Sequence, residues 1–275
     1  MNPGVLLAMD VGNTNLVVGI YDGSRLAHSF RLRTDKEQTV DEYGILIKAL
    51  LAEEGYRPEH IRGICVSSVV PILTDRIEEL CRRLLKRPFL FVSPELELGV
   101  GLTVENSREV GADLLAAAVA VLEIHGAPAV VVDFGTATTM SVLSREGVFL
   151  GAVIAPGLSV SLDAILQRAP HLPPVRLEPP PRAYGTNTVE ALQAGLLLGH
   201  ASLIEGLVGR IEKEVGPCRV IATGGLAAQV ASVCSRIDRV EPDLVLEGIR
   251  RIWEKNRPTT PEDAESSRLR QGRKP

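Results

Sequence analysis

The chain reads as α/β, with two halves that each carry a mixed five-stranded sheet flanked by helices. Three observations lead there. First, Asp10-Val-Gly-Asn-Thr-Asn15 and Asp133-Phe-Gly-Thr-Ala-Thr138 are two versions of one pattern, about half a chain apart. Second, each lies between apolar runs, Val5–Met9 and Leu16–Ile20 for the first, Ala129–Val132 and Thr139–Leu143 for the second. Third, each then meets a Gly-containing turn (Asp22-Gly-Ser, Arg145-Glu-Gly) and another apolar strand. Helical and strand periodicities alternate after that, as expected where helices cover a sheet.

The elements follow in order. Val5–Met9, Leu16–Tyr21 and Leu26–Leu32 read as short strands, with Asp22-Gly23 as a hairpin signal. Residues 40–54 have helical period through Tyr43, Leu46, Ile47, Leu50 and Leu51. Ile61–Ser67 is a buried strand, Pro71 opens a helix over Ile72–Leu85, and Phe89–Val92 is another strand. A helix from about Arg108 to Ile124 joins the halves, and the second series begins near residue 129. Six prolines between residues 168 and 187 forbid helix and interior strand. Asn187-Thr-Val-Glu190 fits a capping box that opens a long helix, along which Gly195 and Gly199 would allow close backbone approach. Arg219–Ala222 is a strand ending in Thr223-Gly-Gly225, and helices follow around Leu226–Ser232 and Leu244–Glu254. The expected division is therefore 1–107, a connecting helix 108–126, a second domain 127–255, and a polar tail 256–275 expected to be disordered.

Bulk properties narrow the function classes. Of 275 residues, 45% are apolar and 23% charged, the balance of a globular protein, and the repeat favours two domains over one. A net charge of −4, with no basic run beside an aromatic cluster, points away from nucleic acid. The first residues lack the plan of a secretory signal, and no apolar run reaches the roughly 20 residues of a spanning helix, so no membrane role is expected. Cys65, Cys81, Cys218 and Cys234 form no C-x-x-C pair and read as small core side chains in a reducing compartment.

The two glycine turns carry the chemistry. A phosphate chain needs several donors at once, and a tight turn aims successive N–H groups in one direction. Gly12 permits close approach of backbone to phosphate, while Asn13, Thr14 and Asn15 add donors. Asp10 is anionic like the phosphate, so it would act through Mg²⁺ or its waters. Taken alone, this turn is equally a plain hairpin; the second copy shifts the weight. There Thr136, Thr138 and Thr139 offer hydroxyls, and Asp133 is the counterpart of Asp10. Thr223-Gly-Gly225 would let a ribose or adenine lie against backbone. In Glu109-Val-Gly-Ala-Asp113, Gly111 costs about 1 kcal/mol in a helix interior, which suits a place where something approaches the backbone. Asp113 is then either a proton acceptor near the cleft or a first-turn carboxylate favoured by the helix dipole. Thr188 stands at a helix start where free N–H groups attract anions.

Three strands, helix, strand, helix, strand, given nearly twice, is the pattern of the ribonuclease H-like architecture of actin-like ATPases and sugar kinases. The ordered motifs, including Gly151-Ala-Val-Ile-Ala-Pro-Gly157, make the chain resemble type III pantothenate kinases over roughly residues 5–255. By position, the resemblance implies that Asp10, Val11, Gly12, Asn13, Thr14, Asn15 and Thr136 bind ATP. It also implies that Asp113 takes the proton from the pantothenate hydroxyl and that Asp133 binds potassium or ammonium. Gly111, Ala112, Asp113 and Thr188 would line the pantothenate site. A divalent ion with ATP, a homodimer and a cytoplasmic location are implied as well. Two positions depart from the family pattern, Leu114 where Arg is usual and Val104 where Tyr is usual, with Arg108 nearby as a substitute cation. They leave room for a nucleotide-binding regulatory relative or for a kinase acting on another small hydroxyl acceptor.

Overall fold

The structure is a computed structural model that describes residues 4–257. The chain runs through β1 (Val5–Val11), β2 (Asn15–Asp22), β3 (Arg25–Arg33), α1 (Val40–Glu53), β4 (Ile61–Ser68), α2 (Pro71–Glu79), β5 (Phe89–Phe91) and β6 (Gly101–Leu102). It continues through α3 (Ala112–Ile124), β7 (Ala129–Phe134), β8 (Ala137–Leu143), β9 (Val148–Pro156) and α4 (Leu158–Arg168). Then come α5 (Thr188–Gln193), α6 (Gly199–Val215), β10 (Arg219–Thr223), α7 (Ala227–Ala231), β11 (Arg239–Val240) and α8 (Leu244–Asn256). Of the tail expected at 256–275, residues 258 onward lie outside the described residues.

The repeat is real at the level of topology. The first sheet has the order β3-β2-β1-β4-β5, and the second contains the matching order β9-β8-β7-β10-β11. In each, the central strand is antiparallel to its hairpin partner and parallel to the strand on its other side. The second sheet has six strands rather than the expected five, because β6 adds in parallel beyond β9. Both β6 and β11 are two residues long, too short to carry an alternation that sequence could reveal. The strands β1, β4 and β7 are near-continuous apolar runs because helices cover them on both faces.

Several sequence expectations shift. Pro71 does open α2, but from Leu80 to Leu85 the helix widens into a π turn, which ends at Lys86 with φ 52°. Gly111 is not interior to a helix: residues 107–109 form a short 3₁₀ turn, and Gly111 is the N-cap of α3, with φ −55° and ψ 138°. The helix α4 was not anticipated, whereas residues 169–187 carry no helix or strand, as their prolines require. Asn187 caps α5 by accepting from Glu190 N–H at 3.0 Å, but the Glu190 carboxylate turns to Thr186 instead of the Asn187 backbone. From Thr188 to Val215 the helix is continuous, and by length and composition alone it could span a membrane, although Glu190 and Glu205 interrupt its apolar run. In this fold its apolar face, with Leu197, Ala201, Ile204 and Val208, covers the second sheet. Gly195 and Gly199 admit no close neighbour: a β-carbon built on either meets nothing within 4 Å.

Two helices bind the halves together. Eight residues of α3 are buried, because the helix lies between the sheets and touches both. Beside it, α8 belongs by sequence to the second half but packs Leu246, Ile249, Ile252 and Trp253 against Leu6, Ala8 and Cys65 of the first sheet. The helices cross closely at Gly248, where a β-carbon would overlap the Ala116 backbone carbonyl. Gly248→Ala is therefore expected to lower stability by about 1–3 kcal/mol through overpacking. Gly206→Ala, at an exposed helical site where an added β-carbon meets nothing within 4 Å, should raise it by about 0.5–1 kcal/mol. Denaturant unfolding of the two variants checks both signs.

Candidate functional site

The two glycine turns face each other across a cleft of about 640 Å³ between the sheets. Each follows the C-terminal end of its central strand, the place where open α/β sheets bind ligands. In the first turn, Gly12 N–H is held by Asn15 O at 3.0 Å, and Gly12 O accepts the Thr34 hydroxyl at 2.6 Å. In the second, Gly135 N–H is held by Ala137 O at 3.1 Å. Their tips meet directly, with Thr14 Oγ1 2.7 Å from Thr136 Oγ1.

Three carboxylates share this cleft. Asp10 ends β1, Asp133 ends β7 and Asp113 enters from the first turn of α3. Burial pushes the Asp10 carboxyl up to about 7; the charges of Asp113 and Asp133 add to this, while a hydrogen bond from Ser67 opposes it. Asp133 rises to about 6, again mainly through burial and then through Asp113. Asp113 is raised by burial, with backbone N–H donors opposing; the Leu114 N–H donates to it at 2.8 Å. A side chain at 111 would collide with the Asp113 carboxylate, so the N-cap glycine gives it room. Ser67 lies beside Asp10 on the parallel strand β4, fully buried, and donates its hydroxyl to Asp10 Oδ1 at 3.0 Å. Thr223 holds the corresponding place beside Asp133 on β10 and is also buried.

Most of the residues singled out from sequence converge here. Asp10, Gly12, Asn13, Thr14, Asn15, Asp113, Asp133 and Thr136 line the cleft, as do Thr223, Gly224 and Gly225. Gly224 has φ 93°, and a β-carbon on it would strike the Asp133 carboxylate and the Phe134 backbone. Val11 is buried, with its carbonyl accepting from Val69 N–H. Gly111 and Ala112 stand behind Asp113 without lining the cleft, and Thr188 is exposed on the first turn of α5, apart from it. Thr138 is a correction: alternation along β8 turns it away from Thr139, and its hydroxyl pairs with His200 Nε2 at 2.8 Å inside the second core. Arg108 is exposed and paired with Glu95 at 3.0 Å, so it does not replace a cation at position 114. Leu114 and Val104 pack into one apolar cluster with Val121 and Phe149.

Sequence reading missed Ser67, Arg31 and Asp243. Ser67 sits in an apolar run, and only its register against Asp10 gives it a role. Arg31 belongs to the polar alternation Ser29, Arg31, Arg33 along β3, which marks an exposed edge face.

These groups make the ligand-free cleft sensitive to pH. A carboxyl whose pKa is raised on folding stabilises the folded state at low pH and loses that contribution as pH rises through its folded value. For Asp10 the window runs from about 4 to about 7. Asp10→Asn keeps a partner for Ser67 and removes the charge, so the ligand-free variant should melt above the parent protein. The gain should be about 1–4 kcal/mol at pH 8 and should shrink toward pH 4.5, as measured by unfolding at several pH values without nucleotide or divalent ions.

Comparisons with known proteins agree with this geometry. A sequence profile described as Type III pantothenate kinase matches residues 6–210. The type III pantothenate kinase of Moorella thermoacetica is 44% identical over 253 residues, 92% of this chain and all of that one. Among solved structures, a Campylobacter jejuni protein described as a conserved putative Baf family transcriptional activator superposes with a TM-score of 0.60 at 20% identity, over 90% of this chain and 97% of that one. A Listeria monocytogenes protein described as a putative N-acetylmannosamine kinase superposes with a TM-score of 0.51 at 13% identity, over 91% and 98%. At these identities the superpositions speak for the fold, the actin-like ATPase and sugar-kinase architecture expected from the repeat.

Proposed function

This chain belongs to the type III pantothenate kinase family, and we propose from that premise that it transfers the γ-phosphoryl group of ATP to the primary hydroxyl of pantothenate, forming 4'-phosphopantothenate at the start of coenzyme A synthesis. The observation that carries this reading is the meeting of two glycine turns and three half-buried carboxylates in one cleft. Phosphoryl transfer asks little covalent chemistry of a protein and depends on positioning and charge. The hydroxyls of Thr14 and Thr136, the side-chain amides of Asn13 and Asn15 and the backbone N–H groups at the tip of the turn supply donors for the phosphate chain, while Gly12, its own N–H held by Asn15, lets the backbone come close. Bringing phosphate here replaces the Thr14–Thr136 hydrogen bond with bonds to oxyanions.

Three carboxylates facing more negative charge call for cations; burial first, and then neighbouring charge, already raises the Asp10 and Asp133 carboxyls. Asp10 would hold Mg²⁺ through water, and Asp133 potassium or ammonium. The divalent ion supplies neutralisation of charge on the phosphate oxygens. Asp113 serves as the base: burial raises its proton affinity, while the Leu114 N–H keeps its carboxylate oriented at the helix start. The same reading places the enzyme in the cytoplasm as a homodimer, acting without nucleic acid or membrane. Ile154 on β9, 73% exposed, is an apolar side chain available to a second copy. The units 1–107, 108–126 and 127–255 serve in this proposal as two lobes and their joining helix, with α8 returning to the first.

The apolar packing of Leu114 and Val104 favours one second reading, a kinase whose acceptor is another small hydroxy acid. Turnover of purified protein with ATP, Mg²⁺, potassium and a panel of acceptors decides between them, with pantothenate expected to be preferred. Asp113→Asn should lower kcat by about 10²–10⁴-fold and leave ATP affinity nearly unchanged; an active variant removes Asp113 as base. Exchange of potassium for sodium should depress turnover, and equal rates in the two salts would remove the monovalent ion from Asp133.

A further inference from the structure

Five carboxylates line the cleft, Asp10, Asp113, Asp133, Asp163 and Asp243, and among the lining side chains the one cation is Arg31. It stands on β3 opposite Val17, two positions along from the pair Asn15 and Arg33 at the base of the first glycine turn. Residues two apart on a strand share a face, which puts Arg31 beside the phosphate turn on the cleft side. The other lobe comes to meet it: a β-carbon on Gly225 would lie 3.8 Å from Arg31 Nη1. Arg31 therefore closes the space between the phosphate turn and the Thr223-Gly-Gly225 turn.

Among the described residues Arg31, like Arg25 and Arg33 on the same strand, stands outside the ion pairs that hold other arginines, but of these three it alone lines the cleft. Arg62, Arg83, Arg108, Arg250 and Arg251 all form ion pairs with acids. Among the described residues Arg31 has neither an ion pair nor a side-chain hydrogen bond. A guanidinium left free inside an acidic cleft is a receptor for an anion, and its planar fork matches two oxygens of a phosphate chain. We propose that Arg31 is a nucleotide-binding residue that takes the α- and β-phosphates of ATP and ADP. The γ-phosphate belongs at the opposite end, toward Asp113, while Arg31 reaches toward Gly225 and the nucleoside end. This inference rests on the reading of the cleft as the nucleotide site.

Calorimetric titration of the parent protein, Arg31→Ala and Arg31→Lys with Mg·ADP, Mg·ATP and adenosine tests it. Arg31→Ala should weaken Mg·ADP and Mg·ATP by a similar factor, about 10- to 100-fold, and leave adenosine affinity unchanged. Arg31→Lys, which keeps the charge and loses the fork, should fall between. In turnover the KM for ATP should rise while the KM for pantothenate stays fixed. Because Arg31 is exposed and unpaired, the ligand-free melting temperature should not move. ADP binding within twofold of the parent overturns the role of Arg31 while leaving the cleft assignment intact. A loss shared equally by adenosine overturns the phosphate contact. Failure of the parent protein itself to bind either nucleotide overturns the cleft assignment and this inference together.

Discussion

Desolvation of three carboxyls in one cleft, Asp10, Asp113 and Asp133, with charge repulsion added at Asp10 and Asp133, is the constraint around which the site is organised. Buried like charges cost free energy unless cations or donors compensate them. The protein supplies only partial compensation, through the Ser67 hydroxyl at Asp10 and the Leu114 N–H at Asp113. The remainder is left open to whatever enters the cleft. Folding is secured elsewhere, in apolar clusters around β1, β4 and β7 and along α3. Stability and chemistry are thus kept at different depths: apolar strand centres hold the lobes, and polar strand ends face each other.

The repeat explains how one chain assembles such an arrangement. A single strand–turn–strand offers one carboxylate and one set of turn donors. Two copies related by topology offer facing sets, and the tips touch through Thr14 and Thr136. That contact is a hydrogen bond between exposed hydroxyls, which exchanges for bonds to water or ligand at little net cost.

What sequence revealed and what it withheld divides along physical lines. Strands β1 to β3 and β7 to β9 were legible because local alternation and Gly-containing turns repeat in both halves. The turn residues Gly12, Asn13, Thr14 and Thr136 were legible for the same reason. Ser67 was not, because its role comes from pairing with a strand 57 residues away. Thr138 was misjudged beside Thr139, since adjacent strand residues face opposite ways and a threonine pair conceals which one faces the cleft. Gly111 was misplaced by one helix boundary, and the consequence is not small, for it turns an interior glycine into the cap that clears space for Asp113. Gly195 and Gly199 show the reverse error, in which small residues suggested a close approach that no part of this chain makes.

The return of α8 to the first sheet bears on how the protein is made. A ribosome releases β1 to β5 long before it releases Leu244–Asn256, yet Leu6, Ala8 and Cys65 are covered by that late helix. Domains generally fold as units during synthesis, the N-terminal one first. Here α3 can cover part of that sheet face early, and the rest stays open until α8 has been made. Val245 and Leu246 of α8 line the cleft, so the site acquires these walls only after that helix has docked.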